Sequence, residues 1–253
     1  MRILLFACDE VGAETARFLN NIGDMPIMLV LNSENRNEYN DQIIKLSNVD
    51  ENSIIYKKEL KKTSGIERLK SLQLDLGISA WWPNIIDKVV IGIPKKGVIN
   101  FHPGFLPYNR GKDPNFWSLL TETPFGVTIH YMNEGIDSGD IITQESIEVS
   151  WEDTGQSLYN KAKQRALMLF KKCYNDIKMD KISPIPQDLK KGSLHYRREI
   201  DDASRIYPNR NYKAKHLLNL LRARMFPPHP SAWFEEDGEK YEVRIEIKKV
   251  NRA

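Results

Sequence analysis

Three side chains in this 253-residue sequence stand where chemistry could occur: Asn100, His102 and Asp137. Asn100 lies near the end of the run Gly97 to Phe101, which reads as a strand, and His102 directly follows it. Residues two apart on a strand leave on the same side, so an amide and an imidazole can meet one substrate atom while Phe101 turns to the core. Asp137 lies 35 residues after His102, in the turn Glu134-Gly135-Ile136-Asp137-Ser138-Gly139-Asp140. It can reach His102 if the strand preceding that turn neighbours the first.

An imidazole, a carboxylate and an amide suit acyl transfer. Neutral histidine takes a proton from an attacking amine, aspartate stabilises the imidazolium, and the Asn amide donates to the oxyanion of a tetrahedral intermediate. Losing one such donor typically costs roughly 3–4 kcal/mol of transition-state stabilisation. No Ser or Cys nucleophile stands beside them, so direct attack by the substrate is favoured over a covalent acyl-enzyme. Alone, Asn-x-His at a strand end or Asp before Ser-Gly is more often a turn cap. Their combination with the long loop HPGFLPYNRG favours function.

These residues need a scaffold. Ile3 to Ala7 reads as a strand, followed by Gly12 and a helical pattern with Ala13, Ala16, Phe18 and Leu19, then a strand Pro26 to Leu31. A helix over 41–47, a short strand 54–57, a helix 62–72 and a strand Leu74 to Trp82 ending at Pro83 continue the alternation. The expected fold is α/β: an open, mostly parallel, Rossmann-like sheet covered on both faces. Ligands in such sheets lie at the carboxyl ends of strands, where Trp82-Pro83 and Asn100-Phe101-His102 fall.

Further on, Phe116, Trp117, Leu119 and Leu120 fit one helical face, and Phe125 to Met132 and Ile141 to Val149 are strand-like. Asp153 with Gln156 has capping-box spacing before a helix carrying Leu158, Ala162, Ala166, Leu169, Phe170 and Cys173. A boundary is expected near residue 180, giving a catalytic part over 1–180 and a substrate-binding and dimerisation segment over 181–253. The latter holds a helix with Leu217, Leu218, Leu220 and Leu221, then a hairpin turning at Asp237-Gly238. The alternating Tyr241, Val243, Ile245 and Ile247 could pair with another subunit, which suggests a homodimer.

Composition excludes several classes. A net charge of +3 is weak for a dedicated nucleic-acid binder, yet suits a phosphate-bearing small substrate. Two cysteines, Cys8 and Cys173, give no disulfide framework, and a reduced cytoplasm is the simplest compartment. The apolar run of MRILLFACDEVG is far shorter than a membrane span and is followed at once by acidic residues, so neither membrane nor signal peptide is expected. His102, His130, His195, His216 and His229 show no paired ligand spacing, which disfavours a metal. ACDEVGAE has one glycine where a dinucleotide-binding turn would need three, which disfavours a dehydrogenase.

The pair VINFHPGFLPYNRG and GVTIHYMNEGIDSGDII resembles the signatures of the folate-dependent formyltransferases, the group that includes methionyl-tRNA and glycinamide ribonucleotide formyltransferases. The likeness is close over roughly 70–145. It implies a catalytic triad at Asn100, His102 and Asp137, with N10-formyltetrahydrofolate as co-substrate. It also implies that backbone at Trp82, Pro83, Asn84 and Ile85, and the turn Asn133, Glu134, Gly135 and Ile136, hold the pterin end. Asp140 is expected to be structural support.

The continuation YNRGKDPNFW and the tail LLRARMFPPHPSAWF are similar to the small bacterial sugar N-formyltransferases. That implies an amino sugar linked to a nucleotide, of the dTDP-4-amino-4,6-dideoxyglucose type, destined for O-antigen or other surface polysaccharide. A nucleotide diphosphate wants cations, and Arg110, Lys112, Arg197, Arg198, Arg222 and Arg224 are available. Its base wants a flat partner, for which Tyr196, Phe226 and Trp233 are candidates. Tyr108 and Asn109 complete the expected acceptor side. A tRNA formyltransferase, a formyltetrahydrofolate hydrolase and a non-catalytic nucleotide-binding module remain as alternatives, separable by acceptor assays.

Overall fold

The computed structural model of the chain describes residues 1–33 and 38–250. They form two compact units, the first from 1–102, 128–143 and 166–187, the second from 103–127, 144–165 and 188 onward.

The chain opens with β1 (Ile3–Ala7), α1 (Asp9–Asn21), β2 (Pro26–Leu31), α2 (Glu38–Ser47), β3 (Ile54–Tyr56), α3 (Thr63–Ser71), β4 (Leu76–Ala80), α4 (Lys88–Ile91) and β5 (Val98–His102). The expected strand 54–57 stops at Tyr56. There the Glu59 carboxylate accepts the Tyr56 N–H at 2.8 Å and the chain tightens into a 3-10 turn. Next come β6 (Arg110–Gly111), α5 (Pro114–Thr121), β7 (Gly126–Tyr131) and β8 (Ile141–Ser146).

Seven strands form one sheet in the order β3-β2-β1-β4-β5-β7-β8. β1 to β5 pair in parallel, and β7 runs antiparallel to β5 with Asn100 opposite His130 and His102 opposite Thr128. Strands buried on both faces read as near-continuous apolar runs. Accordingly every residue of β1 and of β4 is buried. One side packs Leu4, Phe6, Met28, Val30 and Ile55 with Trp82, whose ring meets Phe6 edge-on at 5.7 Å. On the other, Phe101 lies 4.8 Å from Phe170, and Phe18 and Tyr174 close the cluster. Burying each such ring contributes about 1.5–3 kcal/mol.

After β8 comes α6 (Gly155–Lys178). The capping box at its start sits one residue later than the spacing Asp153-x-x-Gln156 predicts. Thr154 Oγ1 accepts the Ser157 N–H at 3.1 Å and Ser157 Oγ accepts the Thr154 N–H at 2.9 Å. Asp153 is drawn away to Ser150 N (2.8 Å), Ser157 Oγ (2.8 Å) and Lys161 Nζ (2.8 Å).

The second unit adds β9 (Leu194–His195), α7 (Glu199–Ala203), α8 (Ala214–Ala223), β10 (Ala232–Glu236) and β11 (Glu239–Val243). β9 pairs in parallel with β6. At the β10–β11 turn Asp237 and Gly238 have φ of 50° and 79°, as a two-residue hairpin with both central residues left-handed requires. Pairing ends at Val243, so Ile245 and Ile247 lie outside the strand that their alternation predicts. The expected α/β class, a mostly parallel sheet with a C-terminal helix and hairpin, is the observed one.

Candidate active site

The site begins as a row across three strands. Ser79 on β4 pairs with Asn100 on β5, and Asn100 pairs with His130 on β7. Paired residues share a face of the sheet, so the three polar side chains stand side by side. Ser79 Oγ donates to Asn100 Oδ1 at 2.8 Å, which fixes the amide with Nδ2 on the other side. Nδ2 in turn lies 3.2 Å from His130 Nε2. His130 Nδ1 meets the Tyr131 carbonyl at 2.8 Å. A carbonyl only accepts, so Nδ1 carries the proton and Nε2 is an acceptor for Asn100.

His102 stands two residues beyond Asn100 on the same face, 3 % exposed. Its Nδ1 is 3.3 Å from Asp137 Oδ2. The other carboxylate oxygen faces Asn100 Nδ2 at 3.5 Å and His130 Nε2 at 3.6 Å. Asp137 thus touches all three, from a left-handed backbone with φ of 46°. Oriented through Nδ1, the imidazole presents Nε2 on the side away from the carboxylate, which is the arrangement of a general base with its orienting acid. The Asp137 contacts are longer than charge-assisted hydrogen bonds usually are, as ligand-free acid–base pairs often are before substrate tightens them.

The turn that carries Asp137 is self-braced. Asn133 Oδ1 accepts from Gly135 N at 3.0 Å and Ser138 Oγ at 2.8 Å. A side chain at Gly139 would overlap the Tyr131 carbonyl oxygen, so only glycine allows the chain to pass there. Asp140 is exposed, and its carbonyl accepts the Tyr131 N–H at 2.9 Å, so its backbone closes the turn.

The two segments expected to hold the pterin border each other. Lys88 Nζ, just past Trp82-Pro83-Asn84-Ile85, lies 3.5 Å from Glu134 Oε1 of the turn. The Trp82 ring is in the core, Asn84 Nδ2 donates to Asn32 Oδ1 at 2.8 Å, and Lys57 donates to Asn84 Oδ1. What remains for a planar ligand is backbone and the Ile85 side chain, 84 % exposed. Polar backbone beside an exposed aliphatic surface fits a flat heterocycle with donors and acceptors on its edge.

The residues expected to meet the acceptor divide into two sets, all in the second unit. Tyr108 and Arg110 are half-buried, Lys112 is exposed, and Arg110 Nε is buried with no hydrogen-bond partner among the described residues. Tyr196, Arg197 and Arg198 are exposed, with the Arg198 guanidinium 5.5 Å from the Tyr196 ring centre. Phe226 is half-buried between Tyr159 and His229, each ring centre 5.2 Å away.

The rest are committed inside the fold. Asn109, 2 % exposed, donates from Nδ2 to Thr123 Oγ1 at 2.7 Å and accepts from Ser193 Oγ at 3.1 Å. Burial lowers the pKa of Arg224, which donates from Nε to Ser204 Oγ at 2.9 Å. Trp233, 6 % exposed, donates to the Asp201 carbonyl at 3.2 Å, with Lys240 and Arg205 on its ring at 3.8 and 4.9 Å. Arg222 donates to Asn219 Oδ1 at 3.0 Å and to the Ser150 carbonyl at 2.6 Å. These four shape the unit and present little to solvent.

Sequence reasoning passed over Ser79 and His130 as site residues. The available signal was polar residues at alternating positions, Thr128 and His130, in an otherwise apolar buried strand.

Residues 21–172 match the formyl transferase family. The chain belongs to that family. Residues 199–249 further match the N-formyltransferase dimerization C-terminal domain. Among characterised proteins, the chain is 32 % identical over 204 residues to methionyl-tRNA formyltransferase of Fusobacterium nucleatum subsp. nucleatum, covering 79 % of this chain and 64 % of that one. The chain spans only 36 to 64 % of the length of the first curated relatives it matches. Among solved structures, a 4-N formyltransferase from Francisella tularensis is 25 % identical with a TM-score of 0.81, over 98 % of both chains. The formyltransferase PseJ from Anoxybacillus kamchatkensis, solved with UDP-4,6-dideoxy-4-formamido-L-AltNAc and tetrahydrofolate, is 27 % identical with a TM-score of 0.58. That likeness covers 80 % of this chain and 89 % of PseJ. Among the described residues no helix is long and apolar enough to cross a membrane, and no cluster of His, Cys, Asp and Glu could hold a metal ion.

Proposed function

We propose that the protein transfers a formyl group from N10-formyltetrahydrofolate to the amino group of a nucleotide-linked amino sugar. The observation that carries the reaction type is Asp137, whose two oxygens face His102 on one side and Asn100 on the other. In this reading the acceptor amine attacks the formyl carbon. His102 Nε2 takes the amine proton, Asp137 stabilises the imidazolium through Nδ1, and Asn100 Nδ2 turns from its 3.5 Å contact with Asp137 to the developing oxyanion. As the intermediate collapses, the bond from the formyl carbon to N10 breaks, His102 returns the proton to N10, and tetrahydrofolate leaves. Backbone at 82–85 and 133–136 holds the pterin.

The acceptor reading is supported by the match of 199–249 to the N-formyltransferase dimerization domain and by the full-length likeness to the Francisella 4-N formyltransferase. PseJ was solved with a UDP-linked 4-formamido sugar, and we take a 4-amino-4,6-dideoxy sugar on dTDP as the first acceptor to test. Residues 1–180 would carry the chemistry, and 181–253 would serve acceptor binding and homodimer formation. Tyr108, Arg110, Lys112, Tyr196, Arg197 and Arg198 would meet the nucleotide and sugar. The setting would be cytoplasmic synthesis of a sugar for surface polysaccharide.

The deciding experiment incubates the protein with N10-formyltetrahydrofolate and a panel of dTDP- and UDP-linked amino sugars, with mass spectrometry of the product. A gain of one formyl group on one sugar supports the reading. Formylation of initiator methionyl-tRNA alone would favour the second reading, motivated by the 32 % identity to the Fusobacterium enzyme.

A further inference from the structure

We infer that Gln187 is a positioning residue for Asp137, a role that rests on the formyl-transfer reading. Its side-chain Nε2 donates to two carbonyls of the catalytic turn, Asp137 O at 3.0 Å and Gly139 O at 2.6 Å. Both amide hydrogens are therefore used on one target. A reversed amide would set its oxygen against two carbonyl oxygens, so the orientation is chemically determined.

The turn needs such a clamp. Asp137 holds its side chain toward His102 from a left-handed backbone, which costs a non-glycine residue free energy and persists only where surrounding contacts enforce it. The braces within the turn, Asn133 to Gly135 and Ser138, leave the Asp137 and Gly139 carbonyls untouched. Gln187 reaches them from 50 residues away. Its own segment is tied down beside the turn, since Ile141 and Ile185 exchange backbone hydrogen bonds of 2.8 and 2.9 Å. With the clamp removed, the Asp137 and Gly139 carbonyls lose these two hydrogen bonds and the Asp137 carboxylate is held less firmly at its distance to the His102 imidazole. Neither substrate touches Gln187 in this reading, so binding should be spared.

Gln187→Met keeps the volume and removes both donors. It is expected to lower kcat roughly 10–100-fold with either KM changed less than about twofold. In an Asp137→Asn background the same change should cost less than about twofold, because the group it positions is already gone. Backbone amide exchange across 137–139 should accelerate about tenfold in Gln187→Met, beyond what the change in global stability accounts for. An equal loss of kcat in both backgrounds, an unchanged kcat, or an unchanged exchange rate would overturn the inference. If Gln187→Met does not fold, Gln187→Asn, whose amide is one methylene too short, makes the same comparison. A wild-type protein without turnover would overturn formyl transfer alone, and the exchange measurement would still decide the clamp.

Discussion

His102 Nδ1 and Asp137 Oδ2 lie 3.3 Å apart, joined by an antiparallel strand pair and the turn beyond it. In the proposed reading the carboxylate both orients the ring and offsets the charge it acquires. Asp137→Asn should therefore lower kcat by roughly 10³–10⁴-fold, the scale seen when the acid behind a catalytic histidine becomes an amide. Calorimetric titration with a formyltetrahydrofolate analogue should give a dissociation constant within a few-fold of wild type. Loss of binding in parallel with turnover would count against the role.

Asn100 is expected to behave as the oxyanion donor. Asn100→Ala should cost roughly 10²–10³ in kcat. Ser79 only aims that amide, so Ser79→Ala should cost about tenfold, the net value of one hydrogen bond, measured by steady-state rates on matched, fully folded samples. A Ser79→Ala loss as large as that of Asn100→Ala would mean that Ser79 has a role of its own.

Gly139 should not tolerate a side chain. In Gly139→Ala the added methyl meets the Tyr131 carbonyl, so the turn has to move and Asp137 with it. Expected are a destabilisation of about 1–3 kcal/mol in urea unfolding and a lower kcat. Unchanged values of both would show that the turn is looser than its geometry.

Acid stability should report on Asp153. Burial pushes this carboxyl upward, but Lys161, the Ser150 N–H and the hydroxyls of Ser157 and Ser150 outweigh it, and its pKa lies below the usual value. A carboxylate depressed in the folded state stabilises fully above its unfolded pKa of about 3.9, and that contribution disappears as pH falls through the folded value. Asp153→Asn should cost about 1–3 kcal/mol at pH 7 and remove part of the stability loss below about pH 4, read from melting curves against pH.

Cys173 should be inert to thiol reagents in the native protein. Burial raises its pKa to about 12, so almost no thiolate exists at pH 8. Alkylation followed by peptide mass spectrometry should find it unmodified until the chain is unfolded.

The alternating strands and helices were legible because a parallel sheet buried on both faces needs near-continuous apolar runs, and β1 and β4 supply them. His102 and Asp137 were legible because each closes a strand or turn with a chemistry-bearing residue. His130 and Ser79 were not, since their relation to Asn100 exists only through strand register, which local pattern does not encode. The capping box slipped by one residue because Asp153 found stronger partners in Ser150 and Lys161. Asn109 looked like an acceptor contact because it stands in an exposed-looking turn, yet Thr123 and Ser193 consume its amide.

The row Ser79, Asn100, His130 has a consequence for how this fold can change its substrates. Its spacing is set by backbone ladders between interior strands. In the proposed reading, acceptor preference and formyl chemistry would be separable, and a graft of loops 103–113 and 188–198 from a relative should change the acceptor while the reaction is kept.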